Sequence, residues 1–292
     1  MIKLKEKIIE KLLFLSAVFT ILTTLAIILI LLLESIKFFS KVSIYDFLTD
    51  SQWTPLFDDK HFGILPLISG TLLTSFIAII FAVPIGLSIA IYLNEYANKK
   101  FRKTIKPILE LLAAVPSVVY GFFALVIVTP FLQSIIPGLS GFNSLSSGIV
   151  MAIMILPFIT SLSEDALYAV PNNLREASYG MGANRFQTVF KVTIPAANSG
   201  IIVSIILAIS RAIGETMIVA IAAGQQPRLT LNPLVPIETI SAYIVQVSLG
   251  DVAQDSLEYR TIFAAGLTLF IFTFILNNIS FLLRKKYYKK YE

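Results

Sequence analysis

Six stretches of this chain are apolar for about the ~20 residues that a helix needs to cross a bilayer. They run Leu12 to Leu33, Ile64 to Leu93, Ile108 to Ile136, Ser146 to Tyr168, Asn198 to Ala223 and Thr261 to Leu283. Hydrophobic residues make up 56% of the 292 and charged residues 14%, against roughly 25% charged in a soluble domain. No soluble interior hides that much apolar side chain, so lipid is the solvent for much of it. The first stretch is longer than a signal core of ~7–15 residues, and no small-x-small site follows it, so it reads as a retained helix. The expected fold is an all-α integral membrane bundle of six transmembrane helices.

The loops orient the bundle. With the N-terminus inside, the inside segments carry 17 Lys and Arg, among them Lys3 to Lys11, Lys99 to Lys106, Arg175, Arg185, Lys191 and the 284–290 tail, while the outside loops carry 5. Positive charge resists translocation, which places both termini in the cytoplasm. The two long outside segments, 34–63 and 224–260, need a role or disorder. Trp53, Leu56, Phe57 and Phe62 favour packing in the first, the second holds an amphipathic-looking stretch from Ile237 to Val247, and a docking surface for an external partner is the functional reading.

There is no cysteine and one histidine, His61. Thiolate chemistry is therefore excluded, and a lone loop histidine is ordinarily solvated rather than a metal ligand. No metal site and no catalytic residue is expected. An intramembrane hydrolase would need paired groups at one depth, and no span offers a Ser–His pair or two aspartates.

Helix breakers interrupt the spans. Pro84, Pro116, Pro157 and Gly214 are the candidate bends. Proline frees a carbonyl that must find a partner in lipid, so such helices usually face other helices or a water-filled path. Arg211 and Glu215 lie about halfway along the fifth span. At i, i+4 on one helix they would share a face and neutralise one another. Each alone at the bilayer centre would cost ~2.5–3.5 kcal/mol. The pair reads either as part of a translocation path, with arginine's fork suited to an oxyanion, or as a clamp between helices. Ser117 and Tyr120 are further path candidates.

The loop before the fifth span reads Arg175-Glu176-Ala177-Ser178-Tyr179-Gly180-Met181-Gly182 and then Val192-Thr193-Ile194-Pro195. Its spacing resembles the EAA signature of binding-protein-dependent ABC importer permeases, with Ser178 in place of the second alanine. Pro171 and the asparagines after it offer a helix start. Small residues at 177, 178 and 182 would let a partner approach, and Gly180 and Gly182 permit a sharp turn. No G-x-x-x-x-G-K-[ST] loop occurs, so ATP would be bound elsewhere.

Further motifs are similar to those of phosphate-transport permeases of the PstC type: Phe62 to Leu72, Pro84-Ile85-Gly86-Leu87, Ile91 to Tyr96, Pro116 to Gly121, Ser163 to Leu167 and Arg211 to Thr216. Trp53-Thr54-Pro55 favours that type over the PstA paralogue. The resemblance implies a type I, MetI-like permease bundle in a bacterial or archaeal plasma membrane. It divides the chain into an N-terminal helix and external loop (1–60), a permease core (61–283) with a coupling helix at about 172–186, and a basic tail (284–292). It implies ATPase-coupling roles for Arg175, Glu176, Ala177, Ser178, Gly182 and Pro195. The implied partners are a PstA-type permease, two ATPase subunits that bind ATP and Mg, and an external phosphate-binding protein, with membrane lipid around and no nucleic acid. The pattern also leaves room for a phosphate-sensing signalling partner. Permeases of molybdate or sulfate share the loop signature.

Overall fold

The computed structural model describes residues 2–288. It is helical throughout, and among the described residues there are only two isolated bridges, Trp53 with Phe62 and Gly224 with Ile237. The basic-tail reading falls beyond the described side chains, as do Lys3, Lys5 and Lys99.

Helix α1 (Ile2–Phe39) carries no charge between Leu12 and Leu33, as a lipid-facing stretch requires, and none of its most apolar window is buried. The hydroxyls of its lipid-facing stretch are satisfied within the helix: Ser16 donates to the Leu12 carbonyl and Thr20 to that of Ser16, each at 2.9 Å. Lipid offers no partner for them, so the preceding turn must. The helix packs along α13 (Leu257–Tyr288).

The centre of the bundle is α3 (Leu65–Ile91) against α7 (Ser144–Tyr168), with α10 (Ile194–Ile213) packed on both. At 27 residues, α3 is ~40 Å long. Ala78, Ala82, Met151, Ile155 and Ile159 fill the seam. Small residues allow the approach: a Cβ on Gly148 would lie 2.6 Å from Ile77, and one on Gly86 3.0 Å from Ile159. Packing of this kind replaces the hydrophobic drive that lipid removes. Pro84 and Pro157 lie inside these continuous helices and break neither.

The third expected span is not one straight helix. Helix α4 (Lys99–Ala114) meets the helix from 117 to 133 at 87°. That second arm comprises α5 (Ser117–Phe123), a widened turn and α6 (Thr129–Gln133). Pro116 stands at the break. Lacking an N–H, it cannot bond the Leu112 carbonyl four residues back. The Tyr120 hydroxyl donates to that carbonyl at 2.8 Å, beside a longer bond from the Val115 amide at 3.4 Å.

The fifth span also differs from expectation. Helix α10 ends at Ile213, Gly214 caps it, and α11 (Met217–Ala222) starts afresh. Among the described residues five helices are thus long and apolar enough to cross, or six if the bent pair is one span.

At one end of the bundle, α2 (Ile44–Thr49) and the 50–64 loop form an aromatic lock. Phe38 meets Phe47 and Phe62 edge to face at 5.8 and 5.7 Å, and Trp53 meets Tyr243 at 5.0 Å. The stretch read as amphipathic is α12 (Ile240–Leu249), and most of its first turn is buried. His61 is not simply solvated: its Nδ1 lies 2.8 Å from Asp50 Oδ2. That contact raises the imidazole pKa above the usual 6.5. Burial lifts the Asp50 carboxyl, but the hydrogen bond and charge of His61 and the amides of Gln52 and Ser51 bring it below 3.8.

Candidate coupling and translocation sites

The motif loop folds at the opposite end of the bundle as a helical hairpin. Helix α8 (Asn172–Gly180) starts after Pro171. Residues 181–184 then turn, with Gly182 at φ +85°, a conformation that costs other residues ~1–2 kcal/mol. A short α9 (Arg185–Thr188) begins with a capping box in which Asn184 and Gln187 bond reciprocally. The expected single helix over 172–186 is therefore two. Gly180 closes α8 in ordinary helical backbone and is not the turning residue.

Arg175 faces inward. Its Nη2 bonds Glu95 Oε1 at 3.0 Å and the Leu167 carbonyl at 2.8 Å. Glu95 is 6% exposed and sits in a widened turn (Tyr92–Tyr96) that continues α3. Arg185 bonds the Glu95 carbonyl and stacks over the Tyr96 ring at 4.9 Å. Ser178 is likewise internal: it is buried and its hydroxyl lies 2.9 Å from that of Thr188, holding the two helices together. What the hairpin presents outward is Glu176, Ala177 and Gly182, with Tyr179, Phe186 and Met181, the last 85% exposed. Pro195 stands in the first turn of α10.

Two anchors were not singled out from the sequence. Glu95 lies in the Tyr92–Tyr96 motif without any local sign that it is paired 80 residues away. Glu164 is 1% exposed and holds Arg102 and, at 3.0 Å, Lys106 of α4. The arginine also covers the Tyr168 ring at 4.9 Å. These bonds lay α4 across this end of α7. The available signal was a carboxylate near the end of an apolar run, alone at Glu95 and followed by Asp165 at Glu164.

Of the path candidates, Arg211 and Glu215 do not form the expected pair. The helix ends between them. Arg211 lies 5.7 Å from the Phe158 ring centroid of α7, and no carboxylate pairs with it among the described residues. Glu215 accepts weakly from the Ile218 amide at 3.4 Å, while its own carbonyl accepts from Ser241. Tyr120 is buried and committed to the Leu112 carbonyl. Ser117 opens α5 and is half-buried. A cavity of about 350 Å³ between α3 and α10 is lined by Leu72, Leu73, Phe76, Ile79 and other apolar chains, with Ser75 as the one hydroxyl. Such a lining does not suit an oxyanion.

Solved structures share this helical fold. An inward-facing MetNI methionine ABC transporter chain aligns with TM-score 0.53 at 20% identity, covering 76% of this chain and 94% of that one. A bacterial alginate ABC transporter chain aligns with TM-score 0.55 at 19% identity, covering 87% and 92%. Residues 82–289 match the family of binding-protein-dependent transport system inner membrane components, and this chain belongs to it. It is thus a membrane-embedded permease subunit rather than an enzyme. Relatives include the probable ABC transporter permease protein YqgH of Bacillus subtilis, 36% identical over 80% of this chain and 75% of its own length. The phosphate transport system permease protein PstC of Mesorhizobium japonicum is 38% identical over 81% and 77%, and that of Pasteurella multocida 33% over 94% and 90%.

Proposed function

We propose that this chain is the PstC-type permease half of an ATP-driven inorganic phosphate importer, working beside a PstA-type permease, two ATPase subunits and an external phosphate-binding protein. The relatives at 33% and 38% identity that carry the phosphate-permease name support the substrate. The mechanism rests on one observation: the α8–α9 hairpin is tied to the end of α3 through Arg175, Arg185 and Glu95. Glu176, Ala177, Tyr179 and Met181 offer the docking face to the ATPase, which holds ATP and Mg. Closure of the ATPases pulls the hairpin, and the Glu95 anchor passes that displacement into α3 and so to α7. The bundle rocks between inward and outward states about a fixed path. Arg211, free of a carboxylate partner, makes the charged contact with the passing oxyanion, and Glu215 and Ser117 flank it.

Radiolabelled uptake into proteoliposomes containing the full assembly tests this reading. Phosphate is carried, and molybdate and sulfate are not; the reverse result defeats it. Glu176→Ala lowers ATP-coupled uptake about tenfold or more while the subunits still co-purify. The proposed orientation has both termini and Met181 in the cytoplasm and Phe57 outside. The chain has no cysteine, so Met181→Cys and Phe57→Cys report sidedness directly with an impermeant maleimide. Labelling of position 181 from outside intact cells overturns the orientation.

A further inference from the structure

The 50–63 loop and the 224–239 segment meet over a cavity of about 170 Å³. Trp53, Phe57 and Tyr243 supply aromatic walls, and Gln225, Gln226 and Gln246 supply amides. Glu238 also lines it. That side chain is 2% exposed, and its Oε1 has no hydrogen-bond partner. The position is built rather than incidental. The Ile237 amide bonds the Ala223 carbonyl at 3.0 Å, and the Glu238 carbonyl lies against Gly70 of α3, only 2.1 Å from where a Cβ would stand. No charged neighbour relieves the carboxyl, and burial alone pushes its pKa up to about 8.

A buried carboxyl without a partner is costly. A cavity bounded by that carboxyl, by aromatic faces and by amide oxygens has the chemistry that receives an organic cation. Asp58 and Asp59 follow the aromatic wall in the chain and are exposed, and Lys60 beside them is already paired with Glu258 at 2.6 Å. Exposed Arg228 donates to the lining amide oxygen of Gln226 at 2.8 Å and not to the carboxyl. At 170 Å³ the space lies well below the ~300–1,000 Å³ of small-molecule sites, and matches one side chain rather than a free metabolite.

We infer that this cavity is a socket for a single primary ammonium or guanidinium group, presented by the protein that docks on the external face. The identity of that protein rests on the transport reading; the chemistry of the socket does not.

Trp53 is the only tryptophan in the chain, so its emission reports occupancy. With the full chain in nanodiscs, titration by n-butylammonium or n-butylguanidinium at constant ionic strength gives a saturable change in Trp53 emission, and n-butanol gives none. Glu238→Gln weakens the response about tenfold or more, the loss expected for one charge-assisted contact. Glu238→Asp keeps a weakened response with the same preference for cation over alcohol. An unaltered emission maximum in the ligand-free variants shows that the lock is intact. A response shared by n-butanol, one unchanged in Glu238→Gln, or no saturable response overturns the socket. In the assembled importer, Glu238→Lys weakens docking of the cognate binding protein about tenfold or more. Unchanged docking by that variant overturns the protein as occupant, even where phosphate uptake and the amine titration both stand.

Discussion

Among the described residues three carboxylates are almost wholly buried, two at the coupling end and one at the opposite end. At the coupling end each has cations from its own chain: Glu95 has Arg175, and Glu164 has Arg102 and Lys106. At the Trp53 end Glu238 has none. There the segments are held by aromatic edges and by an Asp50–His61 contact near the surface. The difference shows how one bundle can be stiff at one end and receptive at the other. Charges neutralised within the chain turn a hairpin into a lever, because breaking a buried pair is expensive. A buried carboxyl with no partner of its own keeps a place for something that arrives.

Arg175→Ala tests the stiff end most severely. Removing the arginine leaves Glu95 Oε1 with only the neutral Asn94 amide at 2.8 Å, and stability falls by about 3–5 kcal/mol, the usual loss for a broken buried pair. Thermal unfolding in nanodiscs reads this, and ATP-coupled uptake falls with it. Arg175→Lys recovers part of the stability, since one ammonium can stand in for Nη2 but cannot also make the Nη1 bond to Asn172. Full stability in Arg175→Ala would mean that the lever is held by something else.

Gly182→Val should cost about 1–2 kcal/mol from its left-handed backbone, with no clash, because nothing lies within 4 Å of the new Cβ. Gly180→Ala, equally uncrowded but in ordinary backbone, should be near neutral. Equal effects of the two on coupled uptake would remove the turn from the account.

The receptive end has its own signature in pH. The Glu238 pKa is raised from 4.5 to about 8, so its contribution is fully present below the unfolded value and is lost as pH rises through 8. Glu238→Gln should therefore flatten the fall in stability between pH 5 and 8. The Asp50–His61 contact gives the smallest effect. Asp50 is lowered and His61 raised, so the pair's contribution fades as pH falls through the lowered carboxyl value and as it rises through the raised imidazole value. The difference in melting temperature between the native chain and His61→Ala should peak between pH 3.8 and 6.5 and vanish well above it.

Several features of this protein are legible in the residues alone. Long apolar runs force helices through lipid, since nothing else satisfies the backbone there. The spacing from Glu176 to Pro195 marks the hairpin, because the turn glycine and the helix starts are local features. Hydropathy is a local sum, however, and a sum does not know direction. That α4 lies at 87° to the helix after it depends on Pro116 freeing the Leu112 carbonyl and on Tyr120 reaching it. It depends also on Glu164 drawing Arg102 and Lys106 to the end of α7. That Arg175 and Ser178 turn inward while Glu176 turns outward was decided by partners 80 and 10 residues away. Arg211 and Glu215 are four apart in any reading, but only the end of α10 at Ile213 separates them. Glu238 is one more loop acid in the sequence; its burial without a partner exists only once two distant segments close over it.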